Sequence, residues 1–326
     1  MDKHSTVELG HDEIVMGPVT VSFQRTLRIP EEGLHPLPPG LGRFPLRRVE
    51  DYPHTAPSDW LARGGIMLPI YQREAMWLSF DSQEPAALQV GTGQVCAVSG
   101  ETWSERLTQE PQNYLTLPDQ LWLDGINAGD GFIRQFVAVP LSSGLTIEKQ
   151  VTGEAVHGGV QLLAVGLTPE ALQAWRAHAS EEVLLCSDAP IEAMGGLVSS
   201  PDMGLGAGGR MRQEVYTDDR RMSDYAVDRT WRVFVHLCTA AQWTSITGEV
   251  APPSPIDRDT YVAAGLPWFA YYDADAQDLP ASEVLRGVKG VGELTEEGQP
   301  PFVAVDPGKV ITLNGTRGVP VTEGDW

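Results

Sequence analysis

The region from residue 66 to residue 167 is a succession of short apolar runs, each of which ends at a turn. The runs are IMLPIY, AMWLSF, ALQVG, QVCAVSG, LWLDGI, GFIRQFVAVPL, TIEKQVTG and VQLLAVGL. They follow one another about every ten residues and are separated by Gly, Pro, Asp-Gly or Asn-containing turns, a spacing typical of antiparallel sheets, sandwiches and barrels. The 34 glycines and 25 prolines, scattered without a period, agree with many turns between short strands.

Helix signals concentrate in the second half of the chain. The sequence Thr168-Pro169-Glu170 combines an N-cap, a proline at the first helical position and an acid near the positive helix end. Thr239 and Gln242 form the pattern of a capping box directly after the apolar run VFVHLC. Upstream, a short helix is predicted to begin at Ser58 or Asp59 and to end at Gly64.

These patterns predict an α+β protein that is rich in β structure. We expect a β-rich domain over 15–166, built as an antiparallel sheet or sandwich, followed by a smaller mixed α/β region over 167–326. The second region could also pack as one unit with the first.

The charge and the cysteine content exclude several classes of partner. A formal net charge of −21 disfavours nucleic acid and anionic membranes, because both are bound mainly through Lys and Arg. The N-terminus carries no apolar signal region, and no apolar run is long enough to cross a bilayer. The three cysteines are widely separated, which favours buried thiols over disulfides. The sequence therefore predicts a cytoplasmic protein.

Five segments of the chain carry a resemblance to a known family. They are IYQREAMWLSF, GFIRQFVAVPLSSGLTIEKQVTGEAVHGGVQL, MGLGAGGRMRQEVY, VFVHLCTAAQWTSITGE and GLPWFAYYDADAQ. Together they resemble a family of uncharacterised bacterial proteins with some fungal members, and the resemblance extends from about Phe23 to about Leu294. The resemblance implies a complete, stand-alone unit and carries over no activity and no catalytic residue. Relatives tend to have Asp-Pro-Tyr-Gly where this chain has TDDRRMSDYAVDRTW, so no role of that segment carries over.

Three glycines, Gly204, Gly206 and Gly209, give the chain a G-x-G-x-x-G pattern. A fourth glycine, Gly208, lies within it. A dinucleotide site needs a strand before this pattern and a helix after it, but GGLVSSPDM precedes it and the alternating segment RMRQEVYTD follows it. We therefore predict a conformational loop. The alternative is a nest of backbone N–H groups that binds an anion, with Arg210 and Arg212 at its rim.

Two histidines are the candidate acid–base groups. His157 begins a His-Gly-Gly sequence that is similar to a lipase oxyanion motif, but the chain has no G-x-S-x-G elbow, so a turn is favoured. His236 and Cys238 lie two residues apart on a predicted strand and hence on one face. A buried histidine beside an inert thiol is favoured there, and a pair of metal ligands is the alternative.

Three aspartates resemble the start of an EF-hand loop. They are Asp273, Asp275 and Asp278, but the glycine and the final glutamate of the motif are missing. A solvated acidic turn is favoured over loose calcium or magnesium binding, and we predict no metal site.

Two further groups of side chains have both a structural and a functional interpretation. The sequence Gln72-Arg73-Glu74 is predicted to be a polar turn or an internal ion pair, with Arg134 and Gln135 as possible partners across the sheet. Aromatic residues that could line a groove or an interface, although a core position is favoured, are Trp243, Trp268, Tyr271 and Tyr272.

Two functional hypotheses remain open. The favoured one is a non-enzymatic binding or assembly component that binds a protein partner or forms a homo-oligomer. The alternative is an enzyme that acts on a small anionic substrate held by the Gly204–Gly209 segment and by Arg210 and Arg212, with His157 or His236 as acid–base group. No cofactor is predicted, because the chain contains no Walker A, HExxH or CxxC pattern.

Overall fold

The protein is rich in β structure and contains one large, mainly antiparallel sheet, as predicted. The computed structural model describes residues 5–31, 33–129, 131–179, 203–255, 258–263, 268–272, 278–280, 282–294 and 310–314. The strands are β1 (Glu8–Leu9), β2 (Ile14–Met16), β3 (Val19–Thr26), β4 (Leu34–His35), β5 (Gly40–Arg43), β6 (Arg47–Arg48), β7 (Ile66–Pro69), β8 (Ala75–Ser82), β9 (Ala86–Thr92), β10 (Val95–Cys96), β11 (Leu115–Leu117), β12 (Trp122–Leu123), β13 (Gly125–Gly129), β14 (Phe132–Pro140), β15 (Val160–Leu167), β16 (Met203–Arg212), β17 (Tyr225–Cys238), β18 (Trp268–Tyr272) and β19 (Val310–Asn314). The helices are α1 (Ser58–Arg63), α2 (Ile147–Thr152), α3 (Pro169–Ala179), α4 (Ala240–Thr247), α5 (Arg258–Ala263), α6 (Glu283–Arg286) and α7 (Val291–Leu294).

The large sheet folds over into two layers. One layer has the strand order β2, β3, β8, β14, β16, and the other has the order β7, β17, β15, β9. The layers are joined where Met203 of β16 pairs with Leu237 of β17. The buried apolar side chains between them form one core, to which both layers contribute, and it includes Phe23, Leu78, Phe136, Leu162, Leu205 and Val235. The alternation of inward apolar residues along the strands is therefore what holds the sandwich together.

The sheet continues across residue 167. Strands β16 and β17 come from the second predicted region, yet they pair with β14 and β15 of the first. The two predicted regions therefore contribute strands to one sheet. The small parallel sheet of β18 and β19 is separate from it.

Three predicted helix signals are confirmed. Helix α1 begins at Ser58 and stops at Gly64, and α3 begins at Pro169. In α4 the Thr239 side chain accepts from Gln242 N, while the Gln242 side chain accepts from Thr239 N, which is the predicted capping box.

One predicted strand is wrong. The run TIEKQVTG forms helix α2, because Thr146 caps it by accepting from Lys149 N and Gly153 ends it in a left-handed conformation. The segment EEVLLCS, which contains Cys186, lies outside the described residues. Over the described ranges, no helix is both long and apolar enough to cross a membrane.

Candidate functional site

The glycine-rich segment is a strand, so the predicted loop is wrong. Strand β16 pairs along its length with β14, and its backbone N–H groups are therefore not free to converge on an anion. The glycines serve close packing instead. A Cβ on Gly204 would lie 2.9 Å from Thr146 Cγ2, and one on Gly206 would lie 2.7 Å from Val291 Cγ2.

The other two glycines are crowded in the same way. A Cβ on Gly208 would lie 2.6 Å from Val137 Cγ2, and one on Gly209 would lie 1.9 Å from the carbonyl oxygen of Pro30. Helices α2 and α7 and the segment around Pro30 can thus approach β16 only because these residues lack side chains.

Arg210 and Arg212 extend from the exposed face of β16 into different surroundings. Arg212 lines a small depression together with Asp119 and Trp122. Arg210 lines a larger cleft of about 470 Å³, which we call the arginine cleft. The arginine cleft is formed by Glu31, Gly33, Leu34, Phe132, Arg134 and Arg210.

The arginine cleft is built around two opposed arginines. Arg134 of β14 lies directly opposite Arg210 of β16 in the strand register. Side chains at such positions emerge on the same face of a sheet, and like charges there destabilise the pairing. The sequence gives no sign of this juxtaposition, because a bulge between Arg134 and Phe136 shifts the register.

Only part of the positive charge at the arginine cleft is neutralised. Arg134 Nη1 donates to Glu293 Oε1 over 2.8 Å, and Arg28 Nη2 donates to Glu31 Oε1 over 3.0 Å. The guanidinium of Arg210 lies 4.8 Å from the centre of the Phe132 ring and forms no ion pair within the described residues. Two guanidinium groups, those of Arg134 and Arg210, and one carboxylate, that of Glu31, therefore line the cleft in a protein whose overall charge is strongly negative.

The two candidate histidines lie far from the arginine cleft. Gly158 packs against the carbonyl of Met203, at the opposite end of β16 from Arg210. Seven residues of strand, at ~3.3 Å each, place these ends roughly 23 Å apart. His157 and His236 therefore do not converge with Arg210.

Each histidine has a structural role at that far end. His157 lies in a bend before β15, and its Nδ1 accepts from Arg63 Nη2 over 3.0 Å. His236 Nε2 donates to Gly64 O over 2.9 Å, and its ring stacks on Trp60 with centroids 4.5 Å apart. Burial lowers the pKa of His236 to about 4, so the ring is neutral at neutral pH.

The metal alternatives find no support in the described part of the chain. The thiol of Cys238 donates to Leu68 O, and among the described residues no group of three or more His, Cys, Asp and Glu could hold a metal ion. Asp278 accepts from Gly131 N and Val215 N through its two carboxylate oxygens. Asp273 and Asp275 lie outside the described residues.

The aromatic residues occupy core positions wherever their side chains are described. Trp243 is on the buried face of α4, and Trp268 is buried in a separate cluster, edge-on to Tyr261. Tyr271 and Tyr272 lie on β18, and their side chains are outside the described part. These tryptophans do not form an exposed groove.

The sequence Gln72-Arg73-Glu74 is a turn that carries an internal ion pair. Arg73 has φ of 68°, and the buried Glu74 accepts from Arg25 Nε over 2.6 Å and from Tyr71 N over 2.9 Å. Burial raises the pKa of Glu74 more than Arg25 lowers it. The predicted partners are wrong: Arg134 pairs with Glu293, and Gln135 bonds the backbone of Leu27 and Ile29.

The sequence offered no signal for one buried acid. Asp124 follows β12, and its Oδ2 is buried without a hydrogen-bond partner in the described structure. Burial raises the pKa of Asp124 to about 7, against a smaller lowering by a hydrogen bond with Trp122.

Replacing Asp124 with asparagine should stabilise the protein at alkaline pH. The folded pKa lies above the unfolded one, so the wild type loses stability as the pH rises from about 4 through about 7, and Asp124→Asn does not. At about pH 8 the variant should be more stable by on the order of a few kcal/mol, and near pH 4 the difference should vanish. Urea unfolding at both pH values measures this, with the exposed Asp119→Asn as control. An unchanged difference at the two pH values would contradict the assignment.

The comparisons with known proteins give no relative. No protein-family model, no curated protein and no solved structure matches this chain. The family resemblance stays a prediction.

Proposed function

We propose that this protein is a non-enzymatic binding component whose arginine cleft takes the anionic group of a small ligand, a carboxylate or a phosphate. The observation that carries the proposal is the direct opposition of Arg134 and Arg210 across β14 and β16. Of the two, only Arg134 has an acidic partner within the described residues.

An anion would relieve the repulsion between these two arginines. Guanidinium groups donate through a planar fork that matches the oxygens of carboxylates and phosphates. Arg210 is already oriented by its stacking on Phe132, so less conformational freedom is lost when it binds. The cleft volume of about 470 Å³ suits a small molecule.

The lining of the arginine cleft supports binding rather than catalysis. The described residues that line it include no histidine, cysteine, serine or threonine, and their one acid–base group is Glu31. Glu31 Oε1 already accepts from Arg28 Nη2 and from Gly292 N. The enzyme alternative assigned this role to a histidine, and both candidate histidines lie at the other end of β16. We therefore favour the binding hypothesis over the enzyme alternative.

Replacing Arg210 with glutamine should weaken anion binding. A charge-assisted hydrogen bond contributes about 1.5–3 kcal/mol, which corresponds to about a tenfold to hundredfold loss of affinity. Calorimetric titration with inorganic phosphate and with citrate measures this, and added salt should weaken binding to the wild type. The proposal fails if neither anion binds, or if Arg210→Gln binds as tightly as the wild type.

Arg229→Gln is the matched control. Arg229 also stacks on an aromatic ring, that of Trp231, at 5.1 Å, but it lies outside the arginine cleft. Its replacement removes one positive charge from the protein without touching the site. Anion affinity should stay within about twofold of the wild type, because surface charges more than a Debye length away are screened.

Self-association and a cytoplasmic location remain proposals from the sequence. Native mass spectrometry of the untagged protein counts the subunits directly. A defined oligomer would support assembly, and a monomer at all concentrations tested would overturn it.

A further inference from the structure

A second cleft lies on a different part of the protein, where several loops meet beside β13. It has a volume of about 530 Å³, within the usual range of small-molecule sites. We call it the amide cleft. Its walls include Val98, Ser99, Gln109, Asn127, Leu279 and Pro280.

Asn127 is the buried polar residue on which the amide cleft depends. Its exposed fraction is 3%, and its Oδ1 accepts from Gly129 N over 2.9 Å. A backbone N–H can only donate, so the atom beside Gly129 is the oxygen and the orientation of the amide is fixed. The side-chain nitrogen then has no partner within the described structure, and it stays accessible from the cleft.

The other buried polar groups at the amide cleft are already used by the protein. The Gln112 amide donates to the carbonyls of Tyr114 and Tyr216 and accepts from Asp218 N. The Asp218 carboxylate accepts from the hydroxyls of Tyr114 and Tyr225 over 2.6 and 2.8 Å. These groups hold the wall in place, and Ser99 Oγ accepts from Glu101 N. Asn127 is left as the buried side-chain amide whose N–H groups face the cleft.

The charges around the amide cleft disfavour an anion. The charged residues that line it are Glu110 at the rim and Asp218 in the wall, and both are acidic. No Lys or Arg among the described residues lines it. The remaining surface near Asn127 is apolar and comes from Val98, Leu279 and Pro280.

We infer that the amide cleft binds an uncharged ligand whose amide carbonyl accepts a hydrogen bond from Asn127 Nδ2. An acetamido group fits this chemistry, because its carbonyl meets the buried donor and its methyl group meets the apolar wall. The same group occurs in N-acetylated sugars and in acylated peptides, so the chemistry is shared by two sources. The site is separate from the arginine cleft and does not depend on the proposed function.

Ligand-observed NMR with three probes tests this inference. The probes are N-acetylglucosamine, glucose, and N-acetylalanine methylamide. Saturation should transfer to the acetyl methyl of at least one N-acetylated probe and not to glucose. Transfer to the sugar alone identifies an N-acetylated sugar, and transfer to the methylamide alone identifies a peptide-type ligand. The inference is overturned if neither N-acetylated probe responds or if glucose responds equally.

The variant Asn127→Asp tests the side-chain N–H donor while keeping the hydrogen bond that Asn127 makes within the fold. An aspartate keeps the acceptor for Gly129 N but replaces the amide donor with a second oxygen. Affinity for the responding probe should fall about tenfold or more, whereas Arg229→Gln, which lies outside both clefts, should leave it unchanged. Unchanged affinity in Asn127→Asp contradicts the inference.

A second measurement uses the wild-type protein, so its result does not depend on whether Asn127→Asp folds. The side-chain NH₂ resonances of Asn127 should shift when the responding probe is titrated into labelled protein. Absence of that shift at saturation would show that the probe binds elsewhere and would overturn the assignment.

Discussion

Replacing Gly209 with alanine should destabilise the protein by about 3 kcal/mol or more. The added Cβ would lie 1.9 Å from Pro30 O and 2.8 Å from Pro30 C, and both are backbone atoms. Strand β16 cannot shift to relieve the overlap, because it pairs with β14 on one side and with β4 on the other. The variant should therefore open either the sheet or the segment around Pro30, which also carries Glu31 of the arginine cleft.

Gly166→Ala is the matched control for this prediction. Gly166 also lies within a strand of the sandwich, but its Cβ would lie 3.6 Å from Pro18 Cγ, an ordinary contact distance. Urea denaturation should show a large loss in the free energy of unfolding for Gly209→Ala. For Gly166→Ala, the same free energy should change by no more than about 1 kcal/mol. Equal stabilities would mean that Pro30 does not lie against β16 in solution.

Replacing Arg25 with leucine should also cost several kcal/mol. Arg25 and Glu74 are buried together, with exposed fractions of 7% and 2%, so the variant leaves an uncompensated carboxylate in the core. Removing one partner of a buried pair typically costs about 3–5 kcal/mol. The same change removes the hydrogen bond from Arg25 to Pro253 O.

The pH dependence of stability in Arg25→Leu tests whether the unpaired Glu74 carboxylate causes the loss. Burial raises the pKa of Glu74, and loss of Arg25 raises it further, because the guanidinium favours the charged form. A carboxyl whose folded pKa lies above its unfolded pKa destabilises the protein as the pH rises. The penalty of Arg25→Leu should therefore shrink on acidification, and Glu74→Gln added to Arg25→Leu should recover part of it at neutral pH. A penalty that is independent of pH would refute this account.

Strands and helices were predicted correctly where the pattern within the segment itself determines them. The apolar run VQLLAVGL predicted β15, and the Thr239 capping box predicted the start of α4. Where the decisive contact is distant, the prediction failed. The pattern of Gly204 to Gly209 looks like a loop by itself, and only the approach of Pro30 and Val291 explains it as a strand.

The sites were less predictable than the strands, for the same reason. The sequence indicated Arg210 as a candidate anion-binding residue because it follows the glycines. Its position opposite Arg134 could not be predicted, because the pairing of β14 with β16 contains a bulge. Asn127 could be recognised only as part of a hairpin signal, because its burial comes from loops near residues 98, 111 and 279. The two histidines were plausible by residue type, and tertiary packing placed both of them in structural roles.

The arginine cleft is completed by residues that are far apart in the chain. Gly292 N donates to Glu31 Oε1 across 261 positions, and Glu293 pairs with Arg134 across 159. During synthesis from the N-terminus, Arg134 and Arg210 therefore leave the ribosome before the acid that neutralises one of them. Until residue 293 has emerged, the growing chain carries two opposed arginines on neighbouring strands without Glu293 beside them. The balance of charge at the arginine cleft is thus established only near the end of translation, and a chain that stops short of residue 293 lacks that balance.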